Sequence, residues 1–405
     1  MYTLLRGKTE GLRDQVTHFA QELIRIPSRS LGENELAARV EQEMRALGYD
    51  EVIRDDAGNV VGILSGRELE PTVLLNCHMD TVAPLDEESR TGTDSPFSGH
   101  LEGGYLHGLG AADCKGGLAA QVYAGALLKR SQLPLRGNLI VAATVAEENG
   151  CSIGMRALLE RTLPGLNLKP SFAILGEPTG LGLYYGHDGW IEVNIKVEGT
   201  NPFCVDDATQ SVFNDYSNRA EGQSDTVALH RPYFENGHGF RRATIRMDRK
   251  IGPTDKVESV LSQIRHDAVQ SCSASAVAVG VAVREEHQTL YNGRTTSVRR
   301  VTHSWSTDPF SPLIERTRQA LAAADCVVQP GKWTLGRMGM GTAGSVLTHD
   351  FQIPTIGYGP GLETMAHAAN ERVEVQKIVE AVYGTAAIVH GLVGVPIFGW
   401  TSDDI

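Results

Sequence analysis

Three apolar runs in this chain each end in an acid or an imidazole. Val73-Leu74-Leu75-Asn76-Cys77 runs into His78-Met79-Asp80, Leu139 to Val145 runs into Glu147-Glu148, and Phe172 to Leu175 runs into Gly176-Glu177. Each run has the length and composition of a buried strand. Helical patterns over 116–130 and 153–162 lie between them. Strand, helix, strand in alternation predicts a parallel α/β sheet, and such sheets place chemistry at the carboxyl ends of their strands. His78 and Asp80 are two residues apart, so an extended chain puts both on one face. A carboxylate beside an imidazole fixes the ring's tautomer and raises its basicity. Taken alone, the pair reads equally well as two polar residues entering a loop.

The remaining segments fit around that frame. Apolar spacing predicts helices over 9–26 and 32–47, and Val52 to Ile63 reads as a hairpin around Asp56-Ala57-Gly58-Asn59. Residues 99–108 are glycine-rich and lead into Gly110-Ala111-Ala112-Asp113-Cys114-Lys115-Gly116-Gly117. The character changes near Gly186. Residues 190–198 alternate, with Ile191, Val193, Ile195 and Val197 on one face; Ala243 to Asp248 and Ala276 to Val283 read as further strands, with a helix over 254–266. This predicts an α+β insert over 186–298 inside a first domain made of 1–185 and 299–405. Within the insert, 200–226 is polar, with one helix expected at 208–217. Helices over Leu313 to Ala323 and 374–391, a glycine-rich loop from Gly336 to Ser345 and a strand from Ile353 to Tyr358 complete the chain.

A length of 405 residues favours two domains. The net charge of -12 argues against nucleic acid as a partner and suits a protein that holds cations. No apolar run approaches bilayer length, and Met1 to Asp14 lacks the features of a targeting peptide, so a cytoplasmic location is expected. Six scattered cysteines without CxxC pairing suggest reduced, mostly buried thiols.

Five residues at strand ends or in adjoining loops can meet: His78, Asp113, Glu148, Glu177 and His367. Two imidazoles and three carboxylates suit zinc, with cobalt or manganese as substitutes. A shared carboxylate would hold two ions about 3.5–4 Å apart. Glu147 adjoins Glu148, and neighbouring side chains point in different directions, so one can bind metal while the other faces substrate as a base. Any one of these residues alone is more simply a solvated loop group.

Five motifs together carry a resemblance. They are Asn76-Cys77-His78-Met79-Asp80-Thr81-Val82, the Gly110–Gly117 segment, Ala146-Glu147-Glu148-Asn149-Gly150, Gly176-Glu177-Pro178-Thr179, and Gly359-Pro360-Gly361 with Ala366-His367-Ala368-Ala369-Asn370-Glu371. The chain resembles, over nearly its whole length, the co-catalytic zinc amidohydrolases that include acetylornithine deacetylase, succinyl-diaminopimelate desuccinylase, carboxypeptidase G and the aminoacylases. The resemblance implies a zinc-peptidase-like mixed sheet flanked by helices, with an inserted ferredoxin-like lid and dimerisation domain. It implies a homodimer and two zinc ions, one on His78 and Glu177, the other on Glu148 and His367, bridged by Asp113. The Asp113-Cys114 peptide would be cis, Asp80 would orient His78, and Glu147 would be the general base. The implied reaction is hydrolysis of an N-acyl amino acid, dipeptide or related small carboxylate-bearing amide. Gly341, Thr342 and Ala343 resemble the loop that grips the substrate carboxylate, although an ordinary tight loop explains them equally well. Arg249 sits in a strand segment similar to the family's Asp-Arg-Arg. Lys115 reads as a substrate contact or, more simply, as structural.

One departure is clear. Where the family has an oxyanion-donating histidine, this chain has Phe203, and the helix-opening motif is replaced by Val205-Asp206-Asp207-Ala208. Losing one such donor typically costs about 10²–10³ in rate. His238, then His187 or His230, are the candidate replacements; otherwise they are surface histidines. The departure leaves two other readings open: an amidohydrolase of an atypical or natural-product substrate, and a non-catalytic zinc-binding homologue.

Overall fold

Burial without a charge to desolvate explains the central sheet. Its strands are β1 (Glu51–Arg54), β2 (Val60–Leu64), β3 (Val73–His78), β4 (Leu139–Thr144), β5 (Phe172–Leu175) and β6 (Thr355–Gly357), in the order β1-β2-β4-β3-β5-β6. Every residue of β2, β3 and β4 is buried, and each Val, Leu or Ile so placed contributes about 1.5–3 kcal/mol. The computed structural model describes residues 2–84, 95–149, 151–220, 226–237, 239–272, 276–327, 337–338 and 340–395.

The sheet is mixed. The β1–β2 hairpin is antiparallel, and β2 runs antiparallel to β4. From β4 to β6 each neighbouring pair is parallel. Register decides where the loops emerge. His78 lies beside Thr144, and Asn76 lies beside Leu175. β3 and β4 therefore end level and β5 ends two residues earlier, and their loops leave the same edge.

The helix Gly116–Arg130 is buried from Gly116 to Leu128 and packs on the closing helix Val375–Val393. Its entry requires glycine, because a Cβ on Gly117 would stand 2.0 Å from the Gly176 carbonyl oxygen. The chain forms two compact units. The first is Met1–His187 with Gln288–Thr296 and Ser306–Ile405; the second is Asp188–His287 with Ser297–Trp305. The second carries an antiparallel sheet in the order Thr226–Leu229, Phe240–Ile251, Gly189–Gly199, Ala278–Val283. The alternation seen in sequence gives it a core of Ile191, Val193, Ile195, Ile245 and Met247, closed by Val212 and Tyr216 from one helix and Ile264 from another.

Several expectations are corrected. The helical pattern over 9–26 divides into Tyr2–Glu10 and Arg13–Arg25, because Leu12 N–H turns back to the Thr9 carbonyl at 2.9 Å beside Gly11. The helix expected at 208–217 runs over Pro202–Ala220. It starts early because Asn201 Oδ1 accepts the Phe203 N–H at 3.0 Å, with proline at the first helical position. Val205-Asp206-Asp207-Ala208 is thus helix interior. All six cysteines are free, but only Cys77 and Cys114 are buried; the other four are half-buried. Among the described residues no helix is long and apolar enough to cross a membrane.

Gly117→Ala should lower stability by about 1–3 kcal/mol, the usual result of overpacking, as read by urea denaturation of the full chain. Unchanged stability would contradict the close approach of this helix to the β5 loop.

Candidate active site

His78 closes β3 and is fully buried. Its Nδ1 lies 2.8 Å from the main-chain carbonyl of Asp80, while the Asp80 carboxylate stands 3.6 Å off. A carbonyl only accepts, so Nδ1 carries a proton, and in the neutral ring Nε2 presents a lone pair. That lone pair faces Asp113 Oδ1 at 3.2 Å. The orienting contact to His78 thus comes from the Asp80 main chain.

The Asp80 side chain serves the β4 loop. Its Oδ1 accepts the Glu147 N–H at 3.0 Å, and its Oδ2 accepts the Glu148 N–H at 2.9 Å and the Ser30 hydroxyl at 2.6 Å. Just before, Ala146 takes the left-handed φ of 53°, an uncommon state for a residue with a Cβ. Its N–H is met by the buried Glu33 carboxylate at 2.9 Å. Two carboxylates from distant loops therefore hold the backbone that presents Glu147 and Glu148.

Asp113 sits in a wide turn, Ala111–Lys115, behind Gly110 at φ 82°, and its peptide bond to Cys114 is cis. His367, itself at φ 58°, brings Nε2 to 3.0 Å from Glu148 Oε2 and 3.4 Å from Asp113 Oδ2. Two sets of potential metal donors result, each with its donor atoms within 4.8 Å of one another: His78, Asp113, Cys114 and Glu177, and Asp113, Glu148 and His367. Asp113 belongs to both.

The electrostatics favour a cation. Burial pushes the Glu177 carboxyl up to about 8, with Asp113, Glu148 and Asp80 adding to the rise against the pull of His78. Burial likewise raises Glu147 well above its ordinary value, with Glu177, Glu148 and Asp80 reinforcing it against His78. The adjacent Asp113 and Glu148 carboxylates lift His367 to about 10. Asp113 Oδ2 is buried and makes no hydrogen bond; the His367 approach is too long to count as one. A lone-pair nitrogen facing a carboxylate oxygen, beside an orphaned carboxylate oxygen, needs a proton or a metal between the groups. The donor set therefore fits a divalent metal.

Other sequence candidates are placed as follows. Thr342 N–H donates to the buried His187 Nε2 at 2.9 Å, which ties the Gly341-Thr342-Ala343 loop to that histidine. Arg249 lies half-buried in the Phe240–Ile251 strand of the second unit. His230 is held by Arg246 at 2.9 Å and Asp248 at 3.3 Å. His238 and Gly339 lie outside the described residues. Phe203 is 84% exposed. Lys115 is wholly buried and donates to the Ile26 carbonyl at 2.8 Å, a structural arrangement. Burial lowers its pKa to about 7, against the pull of Glu371 and Asp80.

Sequence reasoning missed Glu33 and Glu371 as site-building residues and Cys114 as a nearby donor. Cys114 Sγ accepts the His78 N–H at 3.2 Å. Glu371 was visible only as part of the His367 motif, and nothing marked Glu33.

The mixed sheet, the carboxylate-imidazole cluster at its edge and the donor chemistry define a metal-dependent hydrolase of peptides or related amides. The chain belongs to peptidase family M20/M25/M40, whose profile matches residues 74–390. Among curated relatives, it is 27% identical over 411 residues to the Escherichia coli (strain K12) uncharacterized protein YgeY, covering 96% of each chain. It is 27% identical over 386 residues to the [LysW]-lysine hydrolase of Deinococcus radiodurans, covering 93% of this chain and 97% of that one. Among solved structures, aminopeptidase PepT from Bacillus cereus shares the fold with a TM-score of 0.67 at 18% identity, over 94% of this chain and 98% of that one.

Asp80→Asn would turn an amide NH₂ toward one of the two N–H donors. It should destabilise the metal-free chain by about 1–3 kcal/mol, the cost of a buried unsatisfied group, as read from its thermal melt. An unchanged melt would contradict the anchoring role.

Proposed function

We propose that the protein hydrolyses the amide bond of a small carboxylate-bearing substrate, an N-acyl amino acid or a dipeptide, with Glu147 as general base and two divalent metal ions. Zinc is the first choice, with cobalt or manganese as substitutes. The observation that carries this reading is the pair of donor clusters sharing Asp113. His78 and Glu177 would hold one ion, Glu148 and His367 the other, and Asp113 would serve both. When bound, the ions would polarise the amide carbonyl, render water acidic enough to lose a proton near neutral pH, and keep the surrounding carboxylates ionised.

The chain's own groups divide the remaining work. Glu147 takes a proton from the attacking water and returns it to the leaving amine. Ser152 Oγ donates to Glu147 Oε1 at 3.2 Å and leaves the other oxygen for proton transfer. Asp80 fixes the backbone of Glu147 and Glu148 together, so base and ligand keep their spacing. Main-chain N–H groups of the Gly341-Thr342-Ala343 loop would face the substrate carboxylate. The Thr342 N–H is already engaged by His187, which leaves Gly341 and Ala343 to that task. A relative named as a [LysW]-lysine hydrolase is consistent with an amino-acid product.

Phe203 favours a second reading of the same site. With no polar hydrogen where the resemblance puts a donor, the enzyme would act on an amide whose oxyanion is met by another group.

Glu147→Gln should lower kcat by about 10²–10⁴-fold and leave metal content and melting temperature unchanged, measured on N-acyl amino acids, dipeptides and a wider amide panel. Turnover confined to the wider panel would select the second reading. Full metal occupancy without turnover of any amide, or undiminished turnover by Glu147→Gln, would sink both.

A further inference from the structure

We propose that Glu371 is the positioning residue that sets Asp113 and His367 against each other. This rests on reading those two residues as metal ligands. Glu371 is buried, and its carboxylate accepts three N–H groups from one turn. Oε2 takes Gly110 at 2.8 Å, and Oε1 takes Ala112 at 2.8 Å and Asp113 at 2.9 Å. The backbone of the same residue closes the other loop. Glu371 N–H donates to the Ala368 carbonyl at 3.1 Å, one residue beyond His367, and its carbonyl accepts the Gly108 N–H at 3.0 Å. Side chain and main chain of one residue therefore staple the Asp113 turn to the His367 turn.

Glu371 is not itself among the donor groups. The Lys115 stem packs over Gly110, where a Cβ would stand 3.1 Å from Cδ. Glu371→Gln keeps the shape but sets an amide NH₂ against an N–H donor. The turn must then shift, carrying Asp113 away from His367.

The test is zinc titration by calorimetry of the full chain stripped of metal. Glu371→Gln should bind zinc about 10–100-fold more weakly, the usual result of losing a group that supports ligands. The larger loss is expected at the ion to which Asp113 and His367 both contribute. Glu371→Asp, which keeps the charge with a shorter reach, should recover part of the affinity and serves if the glutamine variant does not fold. A merely structural role would lower the metal-free melting temperature and leave the folded protein's zinc affinity unchanged. Wild-type affinity in both variants overturns the proposal. Undiminished zinc binding by Asp113→Ala would instead overturn the ligand assignment beneath it.

Discussion

Asp113 lies between two imidazoles and among other carboxylates, and its Oδ2 is buried without a hydrogen bond. An uncompensated buried anion is costly, and proteins normally neutralise it by a proton, a partner or a metal. Here protons are one answer and a metal is another. The imidazoles of His78 and His367 can supply two, and burial raises the pKa values of Glu147, Glu148 and Glu177, with Glu148 adding to the rise of the other two. The surrounding structure gathers acids where a divalent cation would relieve their repulsion.

The carboxylates divide by whether the backbone satisfies them. Asp80 and Glu371 have both oxygens met by main-chain N–H groups, and Glu33 has Oε1 met twice while its Oε2 has none. They hold the turns that carry Glu147, Glu148 and Asp113. Asp113 Oδ2 receives no such donor. Three acids serve as hydrogen-bond anchors for these turns, and Asp113 keeps a buried oxygen turned toward the imidazole of His367. Parallel strands make this arrangement available, because β3, β4 and β5 end at the same edge and their loops converge.

The sheet and the convergence were legible because both follow from local pattern. Uncharged runs before His78, Glu147 and Glu177 mark buried strands, and parallel strands bring their ends together whatever the intervening sequence. Glu33 and Glu371 were not legible. Their partners are N–H groups 113 and 258–261 residues away, and a backbone donor leaves no trace in side-chain identity. The orientation of His78 by the Asp80 carbonyl was hidden for the same reason. The early start of the Pro202–Ala220 helix was readable from Asn201-Pro202, a capping signal that the polar composition of the segment obscured.

The direct measurement is anomalous X-ray scattering at the zinc edge from crystals of the zinc-loaded protein. Two peaks flanking the Asp113 carboxylate, one beside His78 and Glu177 and one beside Glu148 and His367, are the expected result. No peak there, or a single ion that leaves Asp113 uncoordinated, would contradict the account.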